Sequence, residues 1–223
     1  MHLSDISQFF RIETVFFELW GYQVSYLEFT GALSGLVSVY FAARSNIWTW
    51  STGLVNVTCF FLIFYQVQLY SDMFLQAYFF AASVYGWAVW NRQDKQTENP
   101  IKLLSGRQRL FMLSVLTAST AIAGTVIANL HLYLPDLFIK PASFPYLDTF
   151  IAVLSILATL FLARRILENW VLWIIVDVLS TGLYAAKGVM LIAAEYFIFL
   201  CIASFGLYNW LKLSGNEKGT GTR

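Results

Sequence analysis

Apolar residues run along this chain in blocks of about 20, the length a helix needs to cross a bilayer core, and the charged residues gather between the blocks. The pattern predicts seven helical spans, at 25–43, 47–66, 72–91, 110–130, 146–163, 168–186 and 190–211. Ahead of them, Arg11, Thr14 and Glu18 fall on one helical stripe and Phe9, Phe16 and Trp20 on another. That arrangement predicts an amphipathic helix within 1–24, lying in the interface.

Sliding the chain against itself by 120 residues brings Tyr26-Leu27-Glu28 onto Tyr146-Leu147-Asp148, Arg44 onto Arg164, Trp50 onto Trp170, Gly86 onto Gly206 and Trp90 onto Trp210. A duplicated three-helix unit explains the register. The span at 110–130 has no counterpart, and its single crossing lets both triplets enter the membrane in the same direction. The expected architecture is an all-α polytopic membrane protein with seven transmembrane helices, 3+1+3, in parallel repeats, a design used by transporters that hold substrate near the midplane between halves. Its parts are the amphipathic helix (1–24), the first repeat (25–91), a loop, linker helix and second loop (92–145), the second repeat (146–211) and a tail (212–223).

Composition agrees with the pattern. The chain is 58% apolar and 12% charged, against about 25% charged in a soluble domain. A net charge of +1 gives nucleic acid no electrostatic footing. Two histidines and two cysteines, scattered along the chain, offer no metal cage, and Cys59 and Cys201 read as small packing residues. The first residues lack a basic stretch before an apolar core, so no cleaved signal peptide is expected. Eleven Lys or Arg residues fall on one side of the threading and only Lys140 and Lys187 on the other, with Arg11 in the N-terminal helix. The positive-inside rule then puts the C-terminus in the cytoplasm.

Polar residues inside the spans carry the candidate chemistry, because at mid-depth they need a partner or a cavity. In Glu168–Asp177, the stretch ENWVLWIIVD, Trp170, Trp173 and Asp177 stand at i, i+3 and i+7 on one helical face. Two indoles beside a carboxylate suit a flat cation through stacking, cation–π attraction and counter-charge. Asn56 sits at nearly the same depth in the first repeat and is expected to meet the Asp177 level. Gln76 and Glu195 lie near the outer ends of matching spans, with Trp87 on the Gln76 face. Trp50, paired by the offset with Trp170, completes the candidate substrate-binding set. Trp48, Trp90 and Trp210 read as interfacial belt residues, Glu28 and Asp148 as charges complementing helix dipoles, and Gly31 with Gly35 as a GxxxG packing site.

The segments Arg44–Asn56, Phe64–Gln76 and Tyr85–Asn91, with ENWVLWIIVD, Leu183–Gly188 and Phe205–Trp210, resemble the PnuC family of bacterial nicotinamide riboside transporters. The resemblance covers nearly all the spans, and W-x-x-W-x-x-x-D is its most specific piece. It implies a SWEET-like fold, a homotrimer in the inner membrane, no cofactor, and passive passage of nicotinamide riboside. Trp170 and Trp173 would border the pyridinium, Asp177 would meet its charge or the ribose, and Asn56 and Gln76 would add hydrogen bonds. One departure is Ser51, where members usually carry proline after the tryptophan. Similar chains carrying thiamine or riboflavin, or coupled to a cation, are the alternatives. A membrane enzyme or receptor is disfavoured, because the spans show no HExxH or paired-aspartate motif and the last span holds no lysine for a Schiff base.

Overall fold

The computed structural model describes residues 9–19, 21–66, 70–93, 101–134, 144–186 and 190–220. Where an amphipathic helix was expected, the described residues form a hairpin: β1, Val15–Leu19, pairs antiparallel with β2, Tyr22–Ser25. The cause is local. Val15, Phe16, Phe17, Tyr22 and Val24 are β-branched or aromatic and favour an extended chain, and Gly21 turns between the strands at φ 82°, a conformation that suits glycine. Residues 1–8 and Trp20 of that expected helix lie outside the described residues. The hairpin enters the first helix through a capping box, in which Ser25 Oγ accepts from the Glu28 N–H and Glu28 accepts from the Ser25 N–H at 2.8 Å. Glu28 also accepts from the Tyr22 hydroxyl at 2.7 Å, and that bond, with burial and the carboxylate charge, pushes the Tyr22 pKa up to about 12.

Seven long helices follow among the described residues: α1 (Tyr26–Ala43), α2 (Trp48–Gln66), α3 (Tyr70–Gln93), α4 (Gly106–Ala128), α5 (Pro145–Ala163), α6 (Glu168–Ala186) and α7 (Met190–Thr220). Each stretch expected from the sequence coincides with one of them. Five, α1 and α4 to α7, are long and apolar enough to cross a membrane. Helices α2 and α3 have lower hydropathy because Trp48, Trp50, Asn56 and Tyr65, and Gln76, Asn91 and Arg92, interrupt their aliphatic and phenylalanine residues.

The helices pack in the order α1, α2, α3, α5, α6, α7 and back to α1, with α4 against α5. The sequence offset recurs in three dimensions. Helices α1 and α5 end at Ala43 and Ala163, α2 and α6 begin at Trp48 and Glu168, and the turns between them pass through left-handed residues, Ser45 at φ 53° and Arg165 at φ 56°. The two largest contacts between the triplets among the described residues, α3 with α5 and α7 with α1, correspond under the same shift.

Tryptophans close both contacts. Trp90 Nε1 donates to Ala163 O at 3.2 Å and Leu162 O at 3.3 Å, while Trp210 Nε1 donates to Ala42 O at 3.0 Å and Asn209 Nδ2 to Ala43 O at 2.8 Å. The acceptors are last-turn carbonyls, which a helix leaves without an intrahelical partner. Trp50 meets Trp90 edge-on at 5.4 Å, Trp170 meets Trp210 at 5.8 Å, and Trp90 lies 6.3 Å from Trp210. Both Trp90 and Trp210 are 0% exposed, so they belong to a buried tetrad and not to the expected belt. Their aromatic bulk hid the reason: each indole N–H is taken by a carbonyl of the other triplet. Trp48, at 60% exposed, remains on the surface.

The two ends of the tetrad are not dressed alike. Arg165 lays its guanidinium over Trp90, 4.0 Å from the ring centre, where the first triplet has Ser45. The segment before α4 straps the α5–α6 turn: Lys102 exchanges backbone bonds with Arg165 and Leu167, Leu104 N donates to the Glu168 carboxylate, and Arg109 pairs with Glu168 at 2.9 Å. Helix α4 is held by Leu116, packed with Leu154, Ala158, Leu172 and Val176.

A Cβ on Gly206 would lie 2.7 Å from the Trp170 ring, whereas one on Gly182 meets nothing within 4 Å. We expect Gly206→Ala to cost about 1–3 kcal/mol by overpacking and Gly182→Ala to cost nothing. Thermal unfolding of the detergent-purified variants measures both, and equal midpoints would contradict the tetrad packing.

Candidate functional site

Helix α6 spreads the expected motif over depth. Trp170 is 1% exposed and sits in the tetrad with Trp50. Among the described residues neither indole N–H has an acceptor. Trp173, one turn further, is half-buried and packs between the tetrad and the Leu116–Val176 cluster. Asp177 is 3% exposed, and no described residue donates a hydrogen bond to its carboxylate, although its backbone carbonyl accepts from Thr181 Oγ1 at 2.7 Å. A buried carboxylate without a donor is expensive to keep.

The same face continues to Ser180 and Tyr184, and α7 answers it with Tyr196. The Tyr184 and Tyr196 rings stack with centroids 5.6 Å apart and planes 9° from parallel. Tyr196 lies beside Ser180 and within electrostatic reach of Asp177 and of its neighbour Glu195, which is half-buried. These three residues were not among the sequence candidates. The signal was available, because Ser180 and Tyr184 stand at i+3 and i+7 from Asp177, and Tyr196 directly follows Glu195.

In the first triplet the candidates separate. Asn56 does not meet Asp177: it turns to α1, donating from Nδ2 to Gly31 O at 2.8 Å. The GxxxG pair opens the groove it enters, since a Cβ on Gly35 would lie 2.6 Å from Asn56 Nδ2. Gln76 lines a cavity of about 300 Å³ between α2 and α3, with Val57, Thr58, Phe61, Ala77 and Phe80. Of the candidate residues, that cavity contains Gln76 alone. Trp87 is 41% exposed. Among the described residues no group of His, Cys, Asp and Glu is arranged to hold a metal.

Apolar helices closed around an aromatic face and a buried acid define a multi-pass membrane protein of the transporter class. The comparisons agree: a family model described as nicotinamide mononucleotide transporter matches residues 25–212, and the chain belongs to that family. It is 35% identical over 217 residues to the nicotinamide riboside transporter PnuC of Escherichia coli strain K12, covering 90% of each chain. It is 26% identical over 197 residues to the riboflavin/roseoflavin transporter RibM of Streptomyces davaonensis, covering 87% of this chain and 88% of that one. A crystal structure of the vitamin B3 transporter PnuC superposes with a TM-score of 0.65 at 26% identity, covering 86% of this chain and 83% of that one.

The depths of Trp170 and Trp173 give a direct test. Trp170→Ala empties a packed site and should cost about 3–5 kcal/mol of stability, whereas Trp173→Ala, at a half-buried position, should cost clearly less. Chemical unfolding in one detergent ranks the two, and the reverse order would overturn this division of labour.

Proposed function

We propose that the protein carries nicotinamide riboside into the bacterial cytoplasm by facilitated diffusion across the inner membrane. The observation that carries the reading is Asp177, buried one turn from Trp173 and without a donor among the described residues, in a chain 35% identical to a nicotinamide riboside transporter. The substrate is a flat pyridinium with a hydroxyl-rich sugar. Trp173 offers the aromatic face and Asp177 the counter-charge or sugar acceptor, while the tetrad, holding Trp50 and Trp170, closes one end of the pathway.

The same reading takes α1–α3 and α5–α7 as parallel repeats, with all seven helices crossing the membrane and α4 as the odd crossing between them. The C-terminus then lies in the cytoplasm, supported by the eleven basic residues on that side. Assembly as a homotrimer is taken from the family resemblance, and the role is transport, not catalysis. Likeness to RibM keeps riboflavin as the second substrate reading.

In proteoliposomes loaded with unlabelled riboside, labelled riboside should exchange without ATP, potential or ion gradient, and accumulation that collapses with a proton or sodium gradient would replace diffusion by coupled uptake. In a background lacking Cys59 and Cys201, cysteines placed in 101–109 should react with an impermeant maleimide only from the cytoplasm; labelling from outside would invert the topology. Trp173→Ala should weaken riboside binding by about 1–3 kcal/mol, taking base–aromatic stacking as the guide, or roughly 5- to 150-fold in Kd by calorimetry. An unchanged Kd would remove Trp173 from the site.

A further inference from the structure

The 120-residue shift lets each half serve as a control for the other. In the second half, Asp177, Ser180, Tyr184 and Tyr196 form a polar cluster between α6 and α7. The corresponding positions of α2 and α3 are Val57, Phe60, Phe64 and Gln76. The same helix pair therefore packs with apolar side chains at three of the four places. Packing does not require the polar set. Between α2 and α3, Val57 and Gln76 line the open cavity, whereas in the second half Tyr196 closes over Tyr184 at the matching place.

The axial spacing fits the same substrate. Asp177 lies four residues beyond Trp173, about 6 Å along the helix. That is the reach from a heteroaromatic ring to the far hydroxyls of the sugar it bears. A ring seated on Trp173 puts the sugar at Asp177, Ser180 and Tyr196. These offer an acceptor-only carboxylate and two hydroxyls able to donate and accept, the complement of a vicinal diol.

Resting on the riboside reading of this site, we propose that Tyr196 is a specificity-determining residue: its hydroxyl, beside Ser180 and Asp177 and backed by the Tyr184 ring, recognises a sugar hydroxyl of the transported nucleoside. The substrate is thereby oriented with its ring toward the tryptophan tetrad and its sugar away from it. Riboflavin, with its hydroxyl-bearing ribityl chain, can use the same contact; thiamine, with a single hydroxyethyl arm, has no vicinal diol to offer it.

The test is calorimetric, on full-length wild-type protein and Tyr196→Phe, a change that keeps the stacked ring, with Ser180→Ala as a second variant. The ligands are nicotinamide riboside, its 2′,3′-dideoxy analogue, riboflavin and thiamine. Tyr196→Phe should bind the hydroxyl-bearing ligand of the wild type roughly tenfold more weakly, the loss of one buried hydrogen bond. Its affinity for the dideoxy analogue should not change, and Ser180→Ala should shift in the same direction. Equal losses for riboside and analogue, or no loss for either, would make Tyr196 a packing residue and overturn the proposal. Wild-type binding of riboflavin but not riboside would sink the riboside reading alone, and Tyr196→Phe weakening riboflavin would then support the proposal. Wild-type binding of thiamine alone would overturn both.

Discussion

The arrangement depends on four indoles meeting where the helices of two triplets end. A tryptophan buried in an apolar bundle brings a large packing surface and one N–H that has to be placed. Trp90 and Trp210 place theirs on last-turn carbonyls of the opposite triplet, so each buried donor finds its acceptor at a helix end. Trp50 and Trp170 fill the space between them against Gly86 and Gly206. Between apolar helices in lipid, hydrophobicity does not drive association, and close packing with hydrogen bonds must hold the parts together. The tetrad supplies both, and it fixes the depth and rotation of α6.

Everything proposed for binding is carried by that rotation. With Trp170 seated, the α6 face presents Trp173, then Asp177, then Ser180 and Tyr184 in steps of three or four residues, each further from the tetrad. The strap through Lys102, Leu104 and Arg109 clamps the start of the same helix, and Arg165 adds its cation to Trp90. Among the described residues the first triplet shows neither device, and it spends its mid-depth amide, Asn56, on holding α2 to α1. One half is braced and polar, the other looser and apolar, although both share the same register.

Much of this was legible in the sequence. Helix positions followed from apolar block length, and the repeat from a handful of matched aromatic, glycine and arginine residues. Asp177 stood out because a carboxylate so deep in lipid needs a reason. The failures have physical causes. Residues 15–24 carry an amphipathic stripe that fits either period, and strand propensity with a left-handed Gly21 decided for a hairpin. Trp90 and Trp210 stand at the ends of their expected spans, where an interfacial belt and a buried clamp look the same in one dimension; only the carbonyls of a helix dozens of residues away separate them. Asn56 matched Asp177 in depth, but depth says nothing of rotation, and the groove at Gly31 and Gly35 drew its amide aside. Tyr196 was passed over because tyrosines are common in such helices, and what distinguishes it is the company of Ser180 and Tyr184.

The reciprocal indole caps also bear on how the chain is made. Helix α1 is synthesised first, yet the carbonyl of Ala43 receives its donor from Asn209, 166 positions later, while Trp90 waits 73 positions for the carbonyl of Ala163. During insertion the first triplet leaves the ribosome with helix-end acceptors and an indole donor that only later chain can satisfy. Neither triplet is a finished unit of folding: the register that relates them is held in place by bonds that each can make only with the other.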